Sequence, residues 1–380
     1  MRLAPEQFSP IQPDTAQDAP ESTEADSGLR LANQFEQAHP SIEQQPQTWR
    51  MPGEHELHDC TWMAFGASKH TWKPGSIAAV QSQIAAIART IAEHEPVKML
   101  VRPEERELAQ STCGPRVTLW DAALDDIWIR DSGPVFVLDN QRRLGAVAFN
   151  FNGWGGKQQH ADDATIAASV AARARAEPIR SVLTLEGGGI EVDGEGTAIL
   201  CESCIVNRNR NPERNRDECE AILKQTLGLE KIIWLPGIAG RDITDGHVDG
   251  YARFAGPGTV VVSIEADRNH FDYALTRRHL RLLSAARDAR ERPLEVVVIE
   301  NPRRTRKRFA GKAFCSSYVN FYIVNGGVLV PEFGDPLGDQ RAADTLQRLF
   351  PQRRVSLLNI DAVASGGGGI HCVTQQQPLP

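Results

Sequence analysis

Between positions 77 and 94, Ile77, Val80, Ile84, Ile87 and Ile91 recur at spacings of three and four, which predicts an amphipathic helix. Shorter apolar runs bounded by Gly, Pro, Asn or Asp predict strands at 60–65, 97–101, 118–120, 135–138 and 144–151. Further strands are predicted at 231–235, 259–264, 294–299 and 354–359. The stretch 181–201 reads as three strands broken at Gly187–Gly189 and at 193–196, and 318–324 pairs with 328–331 across Asn325, Gly326 and Gly327. Helices are predicted at 162–176, 211–227, 273–289 and 342–349. Residues 1–48 show no such pattern. They are rich in Gln, Glu, Pro, Ser and Ala, too poor in apolar surface to offset the entropy of ordering, and read as a disordered tail with a short helix at 29–37.

The order of these elements repeats although the letters do not. One or two strands, a polar turn, a strand and a helix recur, and the turns carry Asp131, Glu186, His247, Asn320 and Cys372 at intervals of 55, 61, 73 and 52 residues. Quasi-regular alternation of this kind predicts an α/β fold of repeated units that each offer one loop to a common centre. The expected organisation is the tail 1–48 followed by a single α/β domain at 49–380.

Composition narrows the function classes. Of the net charge of -7, the tail supplies most, with eight acids against Arg2 and Arg30, so the body is near neutral and shows no large basic surface. That argues against a dedicated nucleic-acid binder. Seven cysteines without a regular framework read as reduced thiols of a cytoplasmic protein. No apolar run reaches the roughly 18 residues of a membrane span, and the N-terminus lacks the pattern of a signal peptide. The basic run 301–309 reads as a solvated loop, and Cys201 and Cys204 in CESC as buried cysteines.

Four motifs can carry chemistry. In GGGGIHC, four glycines lead to Cys372, which is either a buried thiol after a turn or a nucleophile delivered into a crowded site. In WIRDSGP, Asp131 ends an apolar strand and either caps its own turn or faces a site. In DGHVDGYARF, His247 and Asp249 lie two residues apart and would share a face of an extended segment, a pair suited to proton transfer and cation binding. Asp242 and Asp245 add negative charge to that turn. In LEGGGIEVDG, the glycines after Glu186 read as a turn joining two strands, since no GK[ST] follows. Neither HExxH nor paired CxxC is present, so no metal is expected.

Taken together, a thiol, a histidine and two carboxylates pose a definite chemical demand. The planar cation that two carboxylates can fork is a guanidinium. Its carbon is a poor electrophile until it is held still with one face presented to a thiolate. A free thiol, with a pKa of about 8.5, is only slightly ionised near neutrality, so His247 or the bound cation must help.

The motifs WMAF, WIRDSGP, LEGGGIEVDG, DGHVDGYARF, SSYVNFYIVNGGVLVP and GGGGIHCVTQQ, in this order, resemble the agmatine deiminase and bacterial peptidylarginine deiminase family over roughly residues 49–378. The resemblance implies a pentein fold, a five-bladed α/β propeller with pseudo-fivefold symmetry. It also implies hydrolysis of a guanidino group to a ureido group and ammonia without cofactor. Cys372 would be the nucleophile, His247 the general acid and base, and Asp131 and Asp249 the guanidinium grip, with Trp128, Gly369 and Asp245 as further substrate contacts. Agmatine is the expected substrate, peptidyl-arginine or another guanidine the nearest alternative, and an amidinotransferase or a non-catalytic guanidine-binding protein the more distant ones. A small guanidine is thus the expected partner, without nucleic acid or membrane, and a homo-oligomer stands open. Two stretches depart from the family pattern: Ile243 in DITDGH stands where a Glu is usual, and GASKHTW lacks the Arg-rich form.

Overall fold

The computed structural model describes residues 49–380, so the expectations for the tail 1–48 lie outside the described residues. Its strands fall into five small sheets. The second to fifth are β4 (Val135–Leu138), β5 (Leu144–Ala148) and β6 (Glu177–Arg180); β7 (Ile190–Val192), β8 (Thr197–Cys201) and β9 (Lys231–Leu235); β10 (Ala252–Gly256), β11 (Thr259–Ile264) and β12 (Glu295–Glu300); and β13 (Tyr322–Val324), β14 (Gly327–Glu332) and β15 (Arg354–Asn359). In each, the first pair is antiparallel and joined by a short turn, and the second pair is parallel. A parallel pair needs a long crossover, which a helix supplies every time. These helices are Ile166–Ala174, Arg216–Leu227, Asp272–Ala285 and Pro336–Leu349.

The first sheet closes the circle. β1 (His58–Phe65), β2 (Val97–Val101) and β3 (Val117–Asp121) run parallel, with helix Pro74–Ile91 between β1 and β2, and the C-terminal strand β16 (Gln375–Pro378) pairs antiparallel with β1. Five units of one plan result, a mixed α/β fold of small sheets in keeping with the pentein fold that the resemblance implies. The described residues belong to one compact unit, and among them no helix is long and apolar enough to cross a membrane.

Helix Pro74–Ile91 shows how sequence makes these elements. Pro74 begins it, where a missing N–H costs nothing, and Val80, Ile84, Ile87 and Ile91 are fully buried. Each such side chain contributes about 1.5–3 kcal/mol on leaving water.

Several elements depart from the expected bounds for visible reasons. The helix predicted from 211 starts at Arg216, because Asn215 and Glu218 form a reciprocal capping box and leave Pro212 outside. The helix predicted at 342–349 starts at Pro336, with proline again in its first turn. The helix predicted to reach 289 ends at Ala285, because the Asp288 carboxylate takes the N–H groups of Arg290 and Arg292 into a turn. Residues 181–186 form no strand: the amides of Asn150 and Asn211 bind the carbonyls of Ser181, Leu183 and Thr184 that a ladder would use.

Each first strand from β4 onward is preceded by a tight turn, and the five turns hold the polar residues picked out by their spacing. The helical turn Ile129–Ser132 carries Asp131, Gly187–Gly189 follows Glu186, Val248–Gly250 carries Asp249 beside His247, Asn320 stands two residues before β13, and His371–Val373 carries Cys372. Asp131 is therefore on a helical turn, not at a strand end. His247 and Asp249 are likewise brought together by a 3₁₀ turn, not by the alternation of a strand.

Candidate active site

The middle of the site is backbone. Glycine is required at 188, because a methyl group there would lie 2.6 Å from His247 Nδ1, 2.9 Å from Asp131 Oδ1 and 3.2 Å from Asp249 Oδ2. The Gly188 N–H donates to Asp131 Oδ1 at 3.0 Å, and the Trp154 indole donates to Oδ2 at 2.9 Å. LEGGGIEVDG is thus the floor of the site as well as a turn between strands.

His247 is buried, with Nε2 3.1 Å from Glu186 Oε2 and Nδ1 3.8 Å from Asp131 Oδ2. Burial works against its charge, but Asp131 and the hydrogen-bonded Glu186 override that and push it up to about 9. Glu186 accepts two bonds from Arg210 Nε, at 2.8 and 3.0 Å. Arg210 is fixed in turn by Asp245 Oδ2 at 2.7 Å. The Asp245 carboxylate also takes Lys157 Nζ at 2.7 Å and the Gly240 N–H at 2.6 Å. Asp245, singled out as a substrate contact, is occupied in this way and bears on the site through Arg210 and Glu186.

Asp249 also reaches the space above Gly188. Its Oδ2 is 2.7 Å from His371 Nδ1, and His371 Nε2 is 3.0 Å from Glu54 Oε2. Glu54 also pairs with Arg253 at 2.8 Å and Arg130 at 3.4 Å. Burial opposes ionisation of Asp249, yet the hydrogen bond and charge of His371 hold its carboxyl down at about 2. Asp131, with burial dominant and Glu186 and Asp249 nearby, is raised instead.

Cys372 Sγ lies 3.5 Å from Asp249 Oδ2 and 3.4 Å from Asn320 Nδ2. Burial and the charges of Asp249 and Asp131 push the thiol well above its ordinary range, so it is protonated in the empty site. The glycine loop is seated by close approach more than by unusual φ, since only Gly367 has a positive value, +100°. A side chain at Gly366 would strike Trp72, one at Gly368 Trp128, and one at Gly369 Asn320. Trp72 and Trp128 stack with centroids 5.9 Å apart, and both indoles donate to Asp126, at 2.6 and 3.1 Å.

The structure brings Cys372, His247, Asp131 and Asp249 together around Gly188, with Trp128 and Gly369 at the cysteine loop. Sequence reasoning passed over four supports. Glu186 and Asn320 stand out in the sequence by their spacing alone, and His371 lies beside Cys372 in GGGGIHC with nothing local to assign it a role. Glu54, in what reads as a plain turn, offered no signal.

A chain built this way matches known proteins over nearly all its described length. The family model for the Porphyromonas-type peptidyl-arginine deiminase covers residues 50–378. The agmatine deiminase of Stutzerimonas stutzeri is 38% identical over 356 residues, 87% of this chain and 95% of its own. A Streptomyces coelicolor protein, provisionally named an agmatine deiminase, is 43% identical over 338 residues, 87% of this chain and 99% of its own. The structure titled agmatine deiminase of Enterococcus faecalis superposes with a TM-score of 0.83 at 30% identity, covering 90% of this chain and 99% of that one. With its five-unit fold and these matches, the chain belongs to the Porphyromonas-type peptidyl-arginine deiminase family.

Proposed function

We propose that this protein hydrolyses the guanidino group of agmatine to a ureido group, giving N-carbamoylputrescine and ammonia through a covalent adduct on Cys372. The observation that carries the reading is the pair of carboxylates, Asp131 and Asp249, flanking Gly188 with the Cys372 sulfur 3.5 Å from one of them. Two buried carboxylates that come within 3.2 Å of one point can fork a planar cation, and a guanidinium is that cation. The catalytic unit is residues 49–380. Its seven cysteines are all unpaired, which fits a reducing cytoplasm.

Binding of the guanidinium lowers the cost of ionising Cys372, and the thiol proton leaves to solvent. Sγ attacks the guanidinium carbon to give a neutral tetrahedral adduct. His247 protonates one nitrogen, which departs as ammonia and takes the released proton, leaving an S-alkylthiouronium cation. Water then adds with its proton passing to His247, and collapse of the second adduct expels sulfur, which recovers its proton from the product oxygen. The net change is guanidinium plus water to urea derivative plus ammonium.

The test is a substrate panel of agmatine, arginine and a C-terminal arginyl peptide, with products identified by mass. The panel is needed because Ile243 brings no carboxylate to its turn. Agmatine should give the ureido product, and Cys372→Ala should lower turnover at least about 10⁴-fold. No ureido product from any member would overturn the proposal, and release of ammonia without an acceptor amine excludes an amidinotransferase.

A further inference from the structure

Asn320 is buried, and both polar atoms of its side chain have partners. Its Oδ1 accepts the His371 N–H at 3.0 Å, which settles the orientation of the amide. Nδ2 then carries two hydrogens and has two acceptors, the Asp249 carbonyl at 3.3 Å and Cys372 Sγ at 3.4 Å, while the thiol itself can donate to Oδ1 at 3.6 Å. The loop is shaped around this side chain, since any residue but glycine at 369 would strike it. The other side chain within reach of the sulfur is Asp249, a carboxylate that can accept from a thiol but only repels a thiolate.

We propose that Asn320 is a catalytic residue whose Nδ2–H donates to the Cys372 sulfur and stabilises it as a thiolate when it attacks. A hydrogen bond to sulfur is weak while the sulfur is a thiol and strengthens when it becomes an anion. Both backbone anchors are made before and after ionisation, so the donor is in place without reorganisation. Asn suits the position because a cationic donor there would compete with the guanidinium for Asp249. An aspartate would keep the anchor to His371 but lose the donor. The inference rests on the guanidine-hydrolase reading for what the thiolate attacks, but not for how it is formed.

The experiment follows the rate of Cys372 alkylation by iodoacetamide from neutral to alkaline pH in the full-length protein, by peptide mass. Cys315, partly exposed and on the same segment, serves as an internal control. Asn320→Ala should alkylate Cys372 roughly tenfold or more slowly at a given pH, with Cys315 unchanged. Turnover of agmatine should show kcat lowered by a similar factor and KM within about threefold. Asn320→Asp, isosteric and able to keep the His371 contact, should slow alkylation at least as much, and it decides the matter if the alanine variant does not fold. A folded variant that loses activity while its Cys372 alkylation profile matches wild type would overturn the proposal and leave Asn320 a structural tie. If alkylation depends on Asn320 but no guanidine is hydrolysed, the proposed function fails and the thiolate donor stands.

Discussion

Asp131 and Asp249 both reach the space above Gly188 and would grip the same cation, yet they are supported in opposite ways. Asp131 is held by two neutral donors, the Trp154 indole and the Gly188 N–H, and burial beside other acids raises its pKa. Asp249 is held by His371, which is backed by Glu54, Arg253 and Arg130, and its pKa is depressed to about 2. One carboxylate is ionised before anything binds. The other carries its charge against burial and the neighbouring acids, with His247 as the opposing charge beside it. The difference separates a permanent anchor from a responsive one and makes the two positions unequal targets.

The largest effect is expected from removing the anchor. Asp249→Asn leaves His371, Glu54 and their arginines without one anion in a buried cluster, so stability should fall by about 3–5 kcal/mol. Asp131→Asn removes one of the charges beside His247 as well as changing neutral hydrogen bonds, but burial already opposes that charge, so it should cost less, about 1–3 kcal/mol. Both should abolish measurable turnover. Urea unfolding of the two variants separates them, and equal losses would break the comparison. The sign with pH follows from the depressed value. The stability that Asp249 contributes is present above its ordinary value near 4 and is lost as pH falls toward about 2. The loss of stability on acidification should therefore be shallower in Asp249→Asn than in wild type.

The asymmetry was invisible in the sequence, whereas the five turns were not. Apolar periodicity and turn residues located most strands and crossover helices, because buried faces and Gly or Pro breaks obey local rules. Their spacing also marked all five site turns. The failures arose where side-chain hydrogen bonds replace apolar burial. β16 reads as a polar tail, QQQP, but is buried, with Gln376 held by Arg130 at 2.7 Å and Gln377 by the Trp62 indole at 2.9 Å. Glu54 comes from a turn before the first strand and meets His371 only because β16 closes the circle onto β1. Contacts 317 residues apart in the chain leave no local pattern to read.

A middle-sized effect is expected in the pH dependence, which tests the responsive side. In the resting site both the Cys372 thiol and the His247 imidazolium hold their protons, whereas the attacking state carries one proton fewer. The ratio kcat/KM should therefore rise about tenfold per pH unit and level off near His247's value of about 9. Stability carries the opposite sign: the contribution of His247 is present below its ordinary value near 6.5 and is lost as pH rises through about 9. Glu186→Gln removes one of the charges that raise His247, so the limb in kcat/KM should move down by about one pH unit or more. A limb that stays in place in this variant would mean that another group sets it.

The smallest change tests the neutral donors themselves. Trp154→Phe keeps an aromatic ring against Phe151, with which the indole makes an edge contact at 5.0 Å, but removes the N–H that binds Asp131. Losing one hydrogen bond to a charged acceptor is worth about 1.5–3 kcal/mol. Because Asp131 would grip the substrate in both ground and transition states, that loss should fall mainly on KM, raised roughly tenfold or more, with kcat changed less. The variant should leave the Asp249 side intact, so its acid unfolding should match wild type. If kcat falls instead while KM holds, Trp154 acts by aligning Asp131 with the reacting carbon, and the responsive carboxylate does more in the transition state than in binding.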